Sequence, residues 1–433
     1  MSDAFPASSG QERMWFLSRF EPDLAVYNIG MFMPSGNDPR RLERAIGLVV
    51  ERHEALRTTF EFRDGQVVQL VSATFPPVRL TETDLTHLPR AEADAELDRL
   101  TRADAVAPFD LERAPLFRAR YARLPDGDVR LAIVFDHTIF DGVSALVFMN
   151  EVEECYAALG EDRAPKLPEL PIQFADFAVW QRGRLSGEFL ETELGHWRER
   201  LAGIPADLAL PGDRPRPARR TYRGEMRLGV YSPELSAGVE RLARELNTTL
   251  FTVMLTAYAA VLSRWSGVDD VVVGTPIAGR LLPETEPVIG MFVNAVPLRV
   301  DLSGEPTFRE AAARVRATVA EALDHQELPF ERLVEDLQPT RDLRVPPIYQ
   351  VMFNLASGTN EGQIANGTAK VDLQLDLNLR GGRLHTRLEY ATDLFDPDTV
   401  ERFEENLRTL VEAAVADPGL PVSALPVLDG DER

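Results

Sequence analysis

The stretch "LFRARYARLPDGDVRLAIVFDH", Leu116 to His137, narrows the folds open to this chain more than any other. Two runs of strand-type residues flank "PDGD", the composition of a tight turn, and so read as an antiparallel hairpin. In the second run Leu131, Ile133, Phe135 and His137 point one way and Ala132, Val134 and Asp136 the other, because side chains along a strand alternate. His137 and Asp136 are therefore expected on opposite faces. From about Val143 the period becomes helical, with Leu146, Met149, Val152, Tyr156 and Leu159 as the apolar positions. The short loop between strand and helix carries His137, Asp141 and Gly142.

The rest of the chain supplies similar elements twice. Ser9 and Glu12 have the spacing of a capping box for a helix with Met14, Trp15 and Leu17 on its apolar stripe. "AVYNIGMFM" reads as a strand. Asp38 as N-cap and Pro39 at the first helical position open a helix that buries Leu42, Ile46, Val49 and Val50. A hairpin follows with its turn at Asp64-Gly65. Pro211, Pro215 and Pro217 make "LPGDRPRPARRTY" an extended linker. Beyond it come a helix pair ending in "AAVLSRW", the strands "DDVVVGTPIAGR" and "MFVNAVPLRVDL", a long helix "TFREAAARVRATVAEALDHQ", the strand "IYQVMFNL", a hairpin through "RGGR" and a closing helix. With 433 residues, two α/β (α+β) domains are the expected organisation, divided as 1–177 and 178–433.

Composition removes several classes of function. A formal net charge of -22 opposes nucleic acid and anionic membranes through its far field. Lys166 and Lys370 are the only lysines, so nearly all positive charge is arginine. The single cysteine, Cys155, excludes an internal disulfide and a thiolate zinc site; it fits cytoplasmic chemistry and reads as a packed residue. The longest apolar run, "LFTVMLTAYAAVLSRW", is broken by Thr and ends in Arg264 within an amphipathic pattern, so no membrane span is expected. The N-terminus lacks the basic and apolar regions of a signal peptide. No two of the six histidines stand at metal-ligand spacing, and the chain has no P-loop, dinucleotide glycine fingerprint or G-x-S-x-G elbow.

His137 has two readings. A histidine at a strand end can aim one ring nitrogen into a cleft while Asp141 pins the loop, and Gly142 lets a long substrate approach the backbone. Alternatively the histidine is structural and Asp141 simply caps the next helix. Three fixed residue types do not choose between them.

His137-Thr-Ile-Phe-Asp141-Gly142 resembles the active-site motif of the condensation domains of nonribosomal peptide synthetases, relatives of chloramphenicol acetyltransferase. "SSGQERMWFL" resembles the family's opening motif, with Gly10 in place of alanine, and "RHEALRTTF", Arg52 to Phe60, matches the second. "FADFAVWQ", "IGMFVNAVPLR", "HQELPFERLV" and "RDLRVPPIYQVMFN" follow in the family's order; "LPGDRPRP" and "LPVLDGDER" resemble its linker and its junction toward an adenylation domain. The resemblance spans essentially the whole chain. It implies two chloramphenicol-acetyltransferase-like subdomains in a V-shaped pseudo-dimer with a central tunnel. The implied activity is amide formation between an acyl or peptidyl thioester and an aminoacyl thioester, both borne on phosphopantetheine arms of carrier proteins, with no cofactor or metal bound by the domain. His137 would be the general base or would hydrogen-bond the amine and the tetrahedral intermediate. Asp141 would be structural, paired with Arg280 or, as the alternative, Arg57.

One departure stands out. The family usually has histidine where this chain has Asp136, whose side chain is expected to accept hydrogen bonds behind the loop. Asp136, Asp141 and Ser144 also satisfy D-x-x-x-x-D-x-x-S, the signature of related heterocyclisation domains, although the other motifs agree with condensation. A non-catalytic domain that docks a carrier or recruits an accessory enzyme is the reading from another class, and "IGMFVNAVPLR" speaks against an epimerisation domain. The resemblance leans toward an L-configured donor and leaves an ester product open. Upstream donor and downstream acceptor carrier proteins are the expected partners of a monomer, with Arg182 and Arg184 of "QRGRL" as the expected carrier contacts.

Overall fold

The computed structural model describes residues 2–21, 25–34, 36–338, 342, 344–356 and 362–428; Arg341, Leu343 and the "DGDER" end of the expected junction lie outside them. The chain forms two compact units. The first comprises Met1–Leu190, Ala278–Asn294 and Glu361–Asn366, and the second Glu191–Ile277, Ala295–Asn360 and Gly367–Arg433.

In the first unit, β1 (Ser2–Pro6) precedes α1 (Ser9–Phe20), and the sequence reading missed this strand because "SDAFP" shows no alternation and ends in proline. The capping box is Ser8 with Gln11, one residue earlier than expected. Next come β2 (Asn28–Met33) and α2 (Pro39–Arg52), which Asp38 caps by accepting from the amides of Arg40 and Arg41. β3 (Thr58–Arg63) and β4 (Gln66–Ser72) form a hairpin whose turn residues Asp64 and Gly65 both have positive φ, 50° and 83°. Only a turn of that hand matches the strand twist. β5 (Thr81–Asp84), α3 (Arg90–Val106), β6 (Phe117–Arg123), β7 (Val129–Asp136), α4 (Gly142–Gly160) and α5 (Phe174–Arg184) complete the continuous part.

These strands make a three-stranded sheet, β1-β4-β3, and a five-stranded sheet in which β7 lies between β2 and β6. At one edge of the larger sheet the two-residue strand Gln363–Ile364 pairs with β2. β7 is buried on both faces. Leu131, Ile133 and Phe135 pack with Leu42, Ile46, Phe148 and Val152, while Ala132 and Val134 pack with Ala105 and Ile364.

Two expectations about this unit change. The buried positions of α4 are Ser144, Phe148, Glu151, Val152, Cys155 and Ala158, whereas Leu146 is 41% exposed. Polar partners at Ser144 and Glu151 fix which face turns inward, so apolar periodicity alone picked a neighbouring stripe. The division at 177/178 falls inside α5, which belongs wholly to the first unit because Phe174, Phe177 and Ala178 pack with Val288, Met291 and Phe292.

The second unit begins within α6 (Gly187–Arg200) and adds β8 (Gly224–Val230), α7 (Pro233–Glu245), α8 (Leu250–Ser266), β9 (Asp270–Ile277), β10 (Asn294–Asp301), α9 (Phe308–Asp324), α10 (Phe330–Leu337) and β11 (Val351–Leu355). The edge strand Gln363–Ile364 of the first unit is β12, and β13 (Leu373–Arg380), β14 (Arg383–Ala391) and α11 (Pro397–Ala416) close the second. Its sheet has the order β10-β9-β11-β13-β14-β8. Every residue of α8 from Thr252 to Ser263 is buried, which accounts for the longest apolar run as a core helix. Among the described residues no single helix is long and apolar enough to cross a membrane. The proline-rich segment is no linker between units: it lies inside the second, where Arg216 pairs with Asp372 at 2.6 Å and the Asp213 amide donates to Leu394 O at 2.8 Å.

Cys155 is fully buried, and burial, reinforced by the charges of Glu151 and Glu154, pushes its thiol up to about 11. At pH 8 the folded protein is expected to leave Ellman's reagent unreacted, with one thiol released on adding guanidinium; prompt reaction in buffer would contradict this packing.

Candidate active site

The strand β7 ends at Asp136, and a 3-10 turn, His137–Ile139, leads through Phe140 to Asp141, the N-cap of α4. Several elements hold this turn. The His137 amide donates to Tyr27 O at 3.0 Å, Gln11 Nε2 donates to Thr138 O at 3.0 Å, and the Phe140 ring stacks on Phe135 with centroids 3.8 Å apart. Gln11 belongs to the first motif, so that motif supports the turn from α1. Sequence reading assigned Gln11 no role, and its burial at a polar position of an apolar helix face is visible only in the fold.

His137 is buried, and its Nδ1 lies 2.7 Å from Phe140 O. A carbonyl oxygen can only accept, so Nδ1 carries the proton and, in the neutral ring, Nε2 is the lone-pair nitrogen. Asp136 is the last residue of the strand, so alternation does not extend to His137 in the 3-10 turn; the Asp136 Oδ1 accepts from Thr138 N at 2.9 Å and Thr138 Oγ1 at 2.5 Å. Burial raises its carboxyl above the ordinary carboxylate range, opposed by the Thr138 hydrogen bonds and the charge of Arg118.

Asp141 is both helix cap and ion-pair partner, so the two readings of this residue describe one side chain. Oδ1 accepts from Ser144 N at 2.7 Å and from Arg280 Nη2 at 3.1 Å, and Oδ2 accepts from Phe292 N at 3.0 Å. Arg280 and Asp141 expose only 4% and 2% of their side chains. Arg280 also donates to Val288 O at 2.6 Å, to Thr285 O and to Ser144 Oγ, and lies 4.0 Å over the Phe292 ring. Arg57, the alternative partner, instead bonds Ser72 O and Glu54 beside β4.

Ser144 is fully engaged. Its hydroxyl donates to Gly290 O at 2.8 Å and accepts from Gly290 N at 3.0 Å as well as from Arg280. Gly142 has the opposite character: a Cβ built there would meet no heavy atom within 4 Å, and its φ is not positive. Neither backbone conformation nor packing in the chain itself explains a glycine at this place. Arg182 does not stand out as a surface cation, since it donates to Ala7 O at 2.6 Å and to Glu12 at 2.9 Å, tying α5 to the start of α1. Arg184 is exposed and lies 3.6 Å over the Phe189 ring.

The family model described as "Condensation domain" matches residues 1–433. The chain belongs to the condensation-domain family. It is 40% identical over 99% of its length to a subunit of linear gramicidin synthase from Brevibacillus parabrevis, of which it spans 6%, and 40% identical over 99% of its length to phosphinothricin tripeptide synthetase PhsC of Streptomyces viridochromogenes, of which it spans 40%. Among solved structures, the X-domain from teicoplanin biosynthesis in complex with OxyB superposes with a TM-score of 0.87 at 29% identity, covering 99% of this chain and 97% of that one. The first condensation domain of the calcium-dependent antibiotic synthetase shares the fold with a TM-score of 0.83 at 21% identity, covering 98% and 99%. The mixed α/β architecture of this condensation domain is thus that of its family.

Because burial raises the Asp136 carboxyl in the folded state, that state holds its proton to higher pH than the unfolded chain. This residue's contribution to stability therefore falls as pH rises from the ordinary carboxylate range through the raised value. Asp136→Asn keeps an acceptor for Thr138 and removes the charge. Thermal melts are expected to show the variant gaining on the wild type between pH 4 and pH 7; a constant difference across that range would refute the burial account.

Proposed function

We propose that this condensation domain joins an acyl or peptidyl thioester, borne on an upstream carrier protein, to the amine of an aminoacyl thioester on a downstream carrier. The amine nitrogen attacks the thioester carbonyl carbon, a C–N bond forms, and the C–S bond of the tetrahedral intermediate breaks. His137 Nε2 takes the proton from the attacking amine and returns it to the departing pantetheine sulfur, so the ring ends neutral. Phe140 O, at 2.7 Å from Nδ1, supports the role by fixing the tautomer that leaves a lone pair at Nε2. The open space at the Gly142 Cβ position, at the first turn of the helix that Asp141 caps, is the observation that carries the reading: it suits a long tethered substrate passing the backbone.

The domain binds no cofactor in this reading, since phosphopantetheine arrives on the carriers, and orientation of two tethered reactants provides roughly 7 to 11 kcal/mol of the rate enhancement. Membership of much longer synthetases among its relatives supports carrier and adenylation neighbours. Arg184, exposed at the end of α5, is our candidate for contact with an acidic carrier, whereas Arg182 contributes by holding that helix. We place the working domain in the cytoplasm as a monomer. Heterocyclisation through Asp136 and Ser144 has less support, because Asp136 Oδ1 already accepts twice from Thr138 and the Ser144 hydroxyl already has three partners. Recruitment of an accessory protein is the second reading, favoured by 29% identity to an X-domain whose structure was solved in complex with OxyB.

Intact mass spectrometry of paired carriers, the donor acylated and the acceptor loaded with a panel of amino acids, tests these readings. An amide-linked mass on the acceptor is expected, slowed by about 10² to 10⁴ in His137→Ala. Gly142→Leu should melt like the wild type, because a Cβ at this place meets no heavy atom within 4 Å, yet lose product. An undiminished rate in His137→Ala would refute the mechanism, a further loss of one water would favour heterocyclisation, and carrier binding without product on any pair would favour recruitment.

A further inference from the structure

Away from the reacting turn, the first unit buries a second histidine with both ring nitrogens assigned. His53 ends α2 in an extended conformation, φ -103° and ψ 112°, and this turns its side chain into the interior, where none of it is exposed. Its Nδ1 faces the amide of Ile289 at 3.3 Å, across 236 residues of chain. Its Nε2 lies 2.8 Å from Glu151 Oε2 on α4. An N–H can only donate, so Nδ1 is the acceptor and Nε2–H donates to the Glu151 carboxylate. The other Glu151 oxygen accepts from Arg52 Nε at 3.1 Å, which holds the carboxylate in place.

Ile289 is fully buried, and it is followed by the two residues that grip the reacting turn: Gly290, bonded in both directions to Ser144 Oγ, and Phe292, whose amide donates to Asp141. On the other side, Val288 O and Thr285 O accept from Arg280. The segment therefore has Asp141 and Ser144 holding it from the start of α4, Arg280 bracing it from within, and His53 holding it from the end of α2. Glu151 stands on the same helix as Asp141, ten residues on, so the His53 link fixes the segment at a second point along α4.

We propose that His53, oriented by Glu151, is a positioning residue for the reaction: it sets the place of residues 288–292, and through them the place of Asp141 and of the turn that presents His137. The proposal rests on the reading of His137 as the reacting group. His53 transfers no proton in it; the ring works as a fixed acceptor for one amide and a fixed donor to one carboxylate.

The test compares full-length wild type with His53→Phe, which keeps a ring and removes both nitrogens, and with Leu97→Ala, a core truncation in the separate cluster of Leu85, Ala93 and Ala122. Hydrogen exchange of a peptide covering 285–293 and steady-state condensation kinetics are measured for each. In His53→Phe the Ile289 amide is expected to exchange about tenfold faster, with kcat down by about 10- to 100-fold and KM within about twofold. Leu97→Ala should melt lower with neither signature. Unchanged exchange in His53→Phe would overturn the proposal, as would faster exchange with unchanged kcat. If His53→Phe does not fold, Glu151→Gln, which removes the carboxylate orienting the ring, is read by the same two measurements with a smaller fall in kcat. If the wild type joins no carrier pair, the condensation reading fails on its own, and the exchange of Ile289 still decides whether His53 tethers the segment.

Discussion

A buried ion pair between Asp141 and Arg280 organises the first unit of this protein. Taking both charges out of water costs several kcal/mol each, a cost offset by their mutual attraction and by further hydrogen bonds to the buried groups. The carboxylate collects two backbone amides besides the guanidinium, and Arg280 donates through its two terminal nitrogens to Val288 O, Thr285 O and Ser144 Oγ as well, while its Nε is buried without a hydrogen-bond partner. Every one of those partners lies either at the start of α4 or in the segment Ala278–Asn294, which the chain reaches only after running through β9 of the second unit. The pair thus secures a segment distant in sequence against the helix that follows the His137 turn. Residues from separate family motifs, far apart in the chain, become neighbours because of it.

The turn itself shows how little of this chemistry is done by isolated residues. His137 has its tautomer set by a backbone carbonyl, the carbonyl is placed by a phenylalanine stacked in the core, and the next carbonyl but one before it is held by Gln11. Asp136 works within the same turn by accepting from Thr138 N and Oγ1.

Much of this was legible in the sequence where one local rule acts alone. The turn at Asp64-Gly65 follows from the need for positive φ, and the start of α2 from Asp38 and Pro39; the alternation expected to oppose Asp136 and His137 stops at Asp136, because His137 already belongs to the 3-10 turn. Reading failed where distant contacts decide. Ser8 rather than Ser9 caps α1 because Gln11, not Glu12, reaches back; Leu146 faces outward because Ser144 and Glu151 have partners inside; α5 joins the first unit because of residues 288–292. Arg182 looked like a surface charge and is a tie to Ala7 O, while His53 looked like one letter of a motif and is a buried hydrogen-bonding junction. The motif order carried the family, and no periodicity would have.

The most direct test of the central claim is a double-mutant cycle on stability. Asp141→Asn, Arg280→Met and the double variant are unfolded by guanidinium beside the wild type. Each single change should cost about 3 to 5 kcal/mol, since it strands a buried charge, and the double variant should cost at least about 2 kcal/mol less than the sum. Additivity within about 0.5 kcal/mol would mean that the two groups do not depend on each other, and that the ion pair is not what holds the His137 turn.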